Sequence, residues 1–247
     1  MKAMILAAGL GTRLKPFTDA HPKALFVHQG QTLLEHAIDH LKSAGIREVI
    51  INVHHFADQI IDFLKQHAYF GMQVTISDET GELLETGGGV KKAAWFFQNC
   101  DGVIVRNVDI ISDLDLLEMV IHHKSSGALA TLAIRNRETT RYFLFNEEMQ
   151  LCGWENRKTG EHLLVRESSP ALQPKSAIEH NSDQVPLSPF AFSGIQVLNP
   201  EIFPLICEEG KFSLTSLYLR LAREEKINGY LEKNIVWQDV GRVTRDE

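Results

Sequence analysis

The stretch Ala3-Met4-Ile5-Leu6-Ala7-Ala8-Gly9-Leu10-Gly11-Thr12-Arg13-Leu14-Lys15-Pro16 sets the fold. Residues 3–7 form a short apolar run that reads as a buried strand, and it empties into a loop with two glycines. Open α/β sheets bind ligands at such places, outside the carboxyl ends of their parallel strands. Glycine there lets backbone N–H groups approach an anion closely. Two familiar phosphate loops are excluded. A Walker loop needs Lys and then Ser or Thr after its last glycine, whereas Thr12 and Arg13 follow Gly11. A dinucleotide fingerprint needs a third small residue and then a helix. Leu14 takes that position, and Pro16 breaks the helix. A bare G-x-G fits a plain turn equally well. Arg13, Lys15 and Lys23 close behind it supply the fork-shaped and point-like cations that a triphosphate needs, although a solvated basic strip would look the same.

Outward from this loop the chain alternates. The spacing predicts a helix over 32–44, with Leu33, Leu34, Ala37, Ile38 and Leu41 on one face. Thr32 and Glu35 form a capping box, and Gly45 ends the helix. Strands are predicted over 48–53, 73–77, 102–106 and 128–134, with helices over 57–67, 89–98 and 114–123 between them. This pattern predicts the α/β class, a doubly wound and mostly parallel sheet. Past residue 135, short strands over 142–145, 151–155 and 163–166 predict a small antiparallel extension. The proline-rich stretch 168–189 reads as a loop. A strand over 190–198, a helix over 214–225 and a strand over 235–240 follow. No linker divides the chain, so one domain is expected over 1–247, in two parts, 1–135 and 136–247.

Composition narrows the function. The 247 residues carry 25 Lys+Arg against 32 Asp+Glu, a formal charge of −7. That gives no electrostatic case for polymeric nucleic acid or an anionic membrane surface. An apolar fraction of 44% is that of a globular protein. Three widely spaced cysteines, Cys100, Cys152 and Cys207, exclude a cysteine zinc site and fit a reducing, cytoplasmic setting. The apolar start is too short for a signal peptide, and no run approaches the roughly 18 residues of a membrane span.

Beyond these features, G-x-G-T-R-x-x-P over Gly9–Pro16, followed by His21-Pro22-Lys23-Ala24-Leu25, resembles the signature of sugar-1-phosphate nucleotidyltransferases. The likeness extends along the chain in Glu85-Thr86-Gly87-Gly88-Gly89, Asn107-Val108-Asp109, Phe192-Ser193-Gly194-Ile195 and Trp237-Gln238-Asp239-Val240-Gly241. It implies a Rossmann-like nucleotidyltransferase fold. Residues 1–135 would hold a nucleoside triphosphate, and 136–247, with its antiparallel extension, would hold a sugar 1-phosphate. The wording is most like the uridylyltransferases acting on N-acetylmuramate 1-phosphate in cell-wall recycling. Guanylyltransferases acting on mannose or heptose 1-phosphate are close relatives.

The resemblance assigns roles. Leu6, Ala7, Ala8, Gly9, Gly11 and Thr12 would line the nucleotide. Arg13 would hold its β/γ end, and Lys23 would reach the α-phosphate. Thr86, Gly87 and Gly88 would sit at the base. Three consecutive glycines are costly in chain entropy, and a ligand pressed against their amides is the expected reason. Asp109 and Asp239 each end an apolar strand and would share a Mg²⁺, which favours oxygen ligands. Either alone would read as a turn residue, and Val108 departs from the glycine that usually precedes the first aspartate. Asp113 and Asp115 form D-x-D but suit the cap of the helix near 114 better than a metal. On the sugar side, Asn52, Asn107, Glu155, Gly194 and Lys211 are candidates by position. An E-K-P segment common in relatives is missing, and Lys158 or Lys211 are possible substitutes. Trp154 and Trp237 fit a pocket wall or the core.

The expected partners are therefore small molecules, with a monomer or homodimer both open. Competing readings are a phosphocholine cytidylyltransferase, a non-catalytic nucleotide-sugar sensor, and a D-x-D glycosyltransferase. The L-E-T-G-G-G segment argues against the first. The joint presence of Arg13, Lys23, Asp109 and Asp239 argues against the second. The third would need no Lys23.

Overall fold

The computed structural model describes residues 1–165, 186–233 and 235–241. The strand before the glycine loop, β1 (Lys2–Leu6), lies inside the main sheet. Its side chains alternate between two cores: Ala3 and Ile5 face one, Met4 and Leu6 the other. A two-stranded ribbon, β2 (Val27–His28) and β3 (Gln31–Thr32), leads into α1 (Leu33–Ser43). The predicted capping box forms. The Glu35 amide donates to Thr32 Oγ1 at 3.2 Å, and the Thr32 amide donates to the Glu35 carboxylate at 2.6 Å.

Next come β4 (Glu48–Val53), α2 (Ala57–Gln66), β5 (Gln73–Asp78), α3 (Glu85–Lys92), β6 (Val103–Asn107), β7 (Ile110–Ser112), α4 (Leu116–Ser126) and β8 (Ala130–Arg135). Strands β5, β4, β1 and β6 run parallel in that spatial order. Helices α1, α2 and α4 bury Ile38, Ile60 and Met119 in the core shared with Ala3 and Ile5. Helix α3 buries Val90 in the other. The sheet is thus covered on both faces, as strand–helix alternation requires.

The second half adds β9 (Arg141–Phe145), β10 (Leu151–Asn156) and β11 (Glu161–Leu164), an antiparallel meander. The long β12 (Ser188–Leu198), α5 (Leu214–Leu221), β13 (Ile227–Leu231) and β14 (Trp237–Asp239) complete the chain. β12 joins everything. Its start pairs with β9, and its end lies antiparallel between β6 and β8. β13 extends the sheet parallel to β8. Among the described residues no helix is long and apolar enough to cross a membrane.

The structure departs from the sequence reading in several places. β7 and β13 were not predicted: three residues give no period, and the Asn228-Gly229 step breaks β patterning. The last strand shrinks to three residues and pairs with β7 instead of the main sheet. Helix α5 stops at Leu221, four residues short of its predicted end. Most of the predicted 168–189 loop lies outside the described residues, but Ser188 and Pro189 already belong to β12. Helix α3 begins at Glu85, not at 89, so Gly87, Gly88 and Gly89 are buried within it. A Cβ on Gly87 would meet the Phe212 ring at 2.4 Å, and one on Gly88 would meet the Gly210 carbonyl at the same distance. The glycines let α3 press against 210–212. This overrides their poor helix propensity.

Behind the β6–β7 turn, the guanidinium of Arg106 is fully buried. Its Nη1 donates to His40 Nδ1 at 2.7 Å, its Nη2 donates to the Ile110 carbonyl, and His40 Nε2 donates to the Leu114 carbonyl at 2.7 Å. A guanidinium only donates and a carbonyl only accepts, so His40 is held as the neutral Nε2–H tautomer. Burial and the Arg106 charge lower its pKa from 6.5 to about 4. Burial, with the neighbouring His122 and Lys124, lowers that of His123 to about 4 as well.

Both histidines titrate lower in the folded chain, so acid protonates the unfolded chain first. Stability is complete above pH 6.5 and drains away as the pH falls towards 4. Each histidine should cost about 1–2 kcal/mol at pH 5. Urea midpoints at pH 7 and pH 5 measure this, and the drop should shrink in His123→Asn. Separately, Gly88→Ala should destabilise by about 1–3 kcal/mol through overpacking against backbone, read as a lowered Tm.

Candidate active site

The glycine loop is held from beneath. Asn52, at the end of β4, accepts the Ala7 amide at 2.7 Å and donates to Glu79 Oε1 at 2.8 Å. Both side chains are buried, and a Cβ on Gly89 would stand 2.8 Å from Glu79 and 3.0 Å from Asn52. Asn52 thus stands beneath the glycine loop and not out on the second half of the chain. Its oxygen and one amide hydrogen tie the start of the loop to Glu79. Leu6, Ala7 and Ala8 are buried at that start. Gly11 has φ +61°, and a Cβ there would meet Lys23 Cβ at 2.9 Å and Thr18 Cγ2 at 2.8 Å. The loop needs this glycine to close onto Lys23. Gly9 differs: nothing lies within 4 Å of where its Cβ would be, and its φ is not positive. Thr12 opens a single 3₁₀ turn, Thr12–Leu14. Arg13 is exposed and has no protein partner among the described residues.

The base-side expectation changes. Thr86 Oγ1 accepts the Leu214 amide at 2.9 Å, and the amides of Gly87 and Gly88 donate to the Phe212 carbonyl at 2.9 and 3.2 Å. These groups join α3 to the start of α5, and the glycine run answers to packing against protein instead of free amides.

Lys23 and Asp109 come from motifs 86 residues apart, and they meet as an ion pair with both side chains largely shielded. Asp239 arrives beside them because β14 pairs with β7, which sets Asp239 opposite Ile110. The Val240 amide also donates to the Asp109 carbonyl at 3.0 Å. A Cβ on Gly241 would lie 2.5 Å from Asp109 Oδ2, 3.1 Å from Asp239 Oδ1 and 3.2 Å from Lys23 Nζ. Two carboxylates and an ammonium thus face one small space kept open by a glycine. Among the described residues no three His, Cys, Asp or Glu side chains form a complete metal cage. Asp115 caps α4, accepting the amides of Leu117 and Glu118 at 2.9 Å. Asp113 accepts the Val236 amide at 2.8 Å. The D-x-D pair serves the backbone.

On the second side, Gly194 has φ +84° in β12, and its missing Cβ would meet Ile110 Cγ1 at 2.6 Å and Asn107 Nδ2 at 3.2 Å. Asn107 and Gly194 thus form one wall next to Asp109. Glu155, on β10, accepts from Arg157 Nε at 2.6 Å. Lys211 is exposed, 3.7 Å from Glu85 at the start of α3. Lys158 lies in the turn between β10 and β11. Sequence reading passed over Glu79, Arg106, Arg135 and Arg137. Arg106 carried a signal, a charge inside the apolar strand Val103–Asn107. So did Arg135 and Arg137, two apart at a strand end and hence on one face.

Comparison with known proteins gives the family. The Nucleotidyl transferase family profile matches residues 2–151. The chain is 31% identical over 241 residues to the N-acetylmuramate alpha-1-phosphate uridylyltransferase of Caulobacter vibrioides, covering 97% of this chain and 91% of that one. It is 30% identical to the enzyme of the same name from Neisseria meningitidis, covering 99% and 95%. A crystal structure of UDP-glucose pyrophosphorylase complexed with UDP-glucose shares the fold, with TM-score 0.73 and 17% identity over 97% of this chain and 93% of that one. On the match across the first 151 residues and the relatives that run its full length, the chain belongs to the nucleotidyl transferase family.

Proposed function

We propose that the protein transfers a uridylyl group from UTP to N-acetylmuramate 1-phosphate, releasing pyrophosphate. The observation that carries the reading is the meeting of Lys23, Asp109 and Asp239 beside the glycine loop. The choice of base and sugar is supported by the two uridylyltransferases that align along the whole chain. In the reaction, a phosphate oxygen of the sugar 1-phosphate forms a bond to the α-phosphorus. The bond from that phosphorus to the oxygen bridging to the β-phosphate breaks, and pyrophosphate leaves with the electron pair. The attacking oxygen is already ionised, so no general base is required. Positioning and charge neutralisation do the catalysis.

The chain's groups divide this work. The glycine loop presents backbone around the triphosphate, Arg13 reaches its β/γ end, and Lys23 exchanges Asp109 for the α-phosphate. Asp109 and Asp239 offer hard oxygen donors around the Gly241 space, which suits Mg²⁺, a cation that takes one or two carboxylates and completes its shell with phosphates and water. When bound, Mg²⁺ would supply Lewis-acid neutralisation of phosphate charge. Asn107 and Gly194 wall the acceptor side. The substrates are small molecules, and a reducing cytoplasm suits them.

The test is pyrophosphate release across UTP, GTP, CTP and dTTP with a panel of sugar 1-phosphates. UTP with N-acetylmuramate 1-phosphate should give the highest kcat/KM. A preference for GTP with mannose 1-phosphate would replace this reading with the guanylyltransferase one. Lys23→Ala should fold normally and lose about 10²–10³-fold in kcat/KM. Asp109→Asn, Asp239→Asn or chelation with EDTA should each abolish turnover. Gly9→Ala should leave Tm unchanged, because the fold has room for a methyl, yet weaken UTP binding. Unchanged UTP affinity in that variant would place the nucleotide elsewhere.

A further inference from the structure

We propose that Arg106, braced by His40, is a positioning residue for the two carboxylates: it closes the β6–β7 turn and fixes β7, so that Asp109 and Asp239 face one space. Its consequence for turnover rests on the nucleotidyl-transfer reading, and its effect on a bound cation rests on geometry alone. Arg106 leaves β6 on the same face as Ile104, the face that α1 covers. Its Nη2 donates to the carbonyl of Ile110, the first residue of β7. Only Asn107, Val108 and Asp109 lie between the two residues, so one side chain spans the turn that carries Asp109. Its Nη1 donates to His40 Nδ1 at 2.7 Å, and His40, on α1, donates from Nε2 to the Leu114 carbonyl at 2.7 Å. The relay therefore holds β7 at its first residue and again just past its last.

Packing alone does not call for an arginine here. Arg106 is fully buried, its Nε has no hydrogen-bond partner, and among the described residues it makes no salt bridge. Burial lowers its pKa from 12.5 to about 10, and the nearby Asp109 charge works against that fall. Taking a guanidinium out of water with two neutral partners is unfavourable. The rest of the strand, Val103, Ile104 and Val105, is apolar. What the planar fork adds is a grip on two acceptors at a fixed angle, which no apolar side chain supplies.

The parts of the site converge on the residue that Arg106 grips. Ile110 stands opposite Asp239 in the β7–β14 pair. Its side chain would lie 2.6 Å from a Cβ on Gly194, in the wall on the acceptor side. The residue before it is Asp109, whose carbonyl accepts the Val240 amide at 3.0 Å. A shift of Ile110 would therefore carry both carboxylates away from Lys23 and the glycine loop. Charge and geometry then predict opposite effects of losing Arg106. Removing a positive charge beside a cation site tightens cation binding if charge alone matters. Releasing the turn weakens it, because the groups that orient metal ligands govern metal affinity.

The experiment titrates Mn²⁺ alone, an oxygen-seeking stand-in for Mg²⁺, into the wild type, Arg106→Met, Arg106→Lys and the double variant Arg106→Met/His40→Leu. Free Mn²⁺ is followed by electron paramagnetic resonance, and folding by circular dichroism. The double variant removes both members of the relay, so no imidazole is left without its donor. Arg106→Met and the double variant should weaken Mn²⁺ binding about 10–100-fold. Arg106→Lys should recover part of the loss, since it keeps a donor for one of the two acceptors. In kinetics with UTP and N-acetylmuramate 1-phosphate, the Mg²⁺ concentration for half-maximal pyrophosphate release should rise by a similar factor. Unchanged Mn²⁺ binding in the folded charge-removing variants assigns Arg106 to packing, tighter binding assigns it to charge alone, and either overturns the positioning role. No Mn²⁺ binding by the wild type overturns it too. If the methionine variants do not fold, Arg106→Lys decides: weaker Mn²⁺ binding supports the role and wild-type binding overturns it. Weakened Mn²⁺ binding, together with no pyrophosphate release by the wild type from any pair in the panel, keeps the positioning role and overturns the nucleotidyl-transfer reading.

Discussion

The ion pair between Lys23 and Asp109 ties two halves of the site that are otherwise unrelated in sequence. Lys23 follows the loop that leaves β1, and Asp109 follows β6, the strand lying parallel to β1. The pair forms because Gly11 has no Cβ and the loop can close onto the lysine stem. It is partly shielded, so each charge has given up water and depends on the other. A lone cation or a lone anion entering here would strip one partner and strand the second. On the proposed reaction, a magnesium–triphosphate pair would strand neither: the polyanion would take the lysine and the metal the carboxylate. On these terms a chain of net charge −7 would bind phosphates, with Lys23 balancing one of the two carboxylates that face the Gly241 space.

Around that pair the glycines separate into two kinds. Gly11, Gly87, Gly88, Gly194 and Gly241 stand where a Cβ would strike another part of the protein. They are small because elements converge: α3 on the 210–212 segment, β12 on β7, the last turn on Asp109. Gly9 meets nothing, and its backbone conformation is open to any residue. The fold gives no reason for a glycine there, so the reason lies with whatever approaches the loop from outside.

Much of the architecture could be read from the sequence because its signals were local. The capping box at Thr32, the single apolar face of α1 and the β-branched run of β4 each specify an element within a dozen residues. The meander β9–β11 showed the same way, through short apolar runs between turns. What escaped depends on partners distant in the chain. The three glycines of α3 look like a helix-breaking loop until Phe212 and Gly210 are placed against them. Asn52 looked like a sugar ligand by motif position, yet Ala7 and Glu79 claim both ends of its amide. Glu79 gave no signal, since nothing local marks an acid that will be buried under a loop. Lys23, Asp109 and Asp239 could be named singly, but their meeting depends on β14 leaving the main sheet to pair with β7.

That last pairing has a mechanical consequence. β14 carries Trp237 and Asp239 on one face and delivers Gly241 between the two carboxylates, while Asp109 comes from the turn that joins β6 of the main sheet to β7. The ribbon is short, with three paired positions, and is held further by Val236 to Asp113 and Val240 to Asp109. Asp113 is thus a fastener for the strand that brings Asp239, although it stands outside the site. Asp239 thus sits in β14 and Asp109 in the turn that enters β7, so both carboxylates border the same two-stranded ribbon and neither lies within a strand of the ten-stranded sheet. On the proposed reaction, a metal held between the two carboxylates would therefore be placed by the β6–β7 turn and the ribbon together.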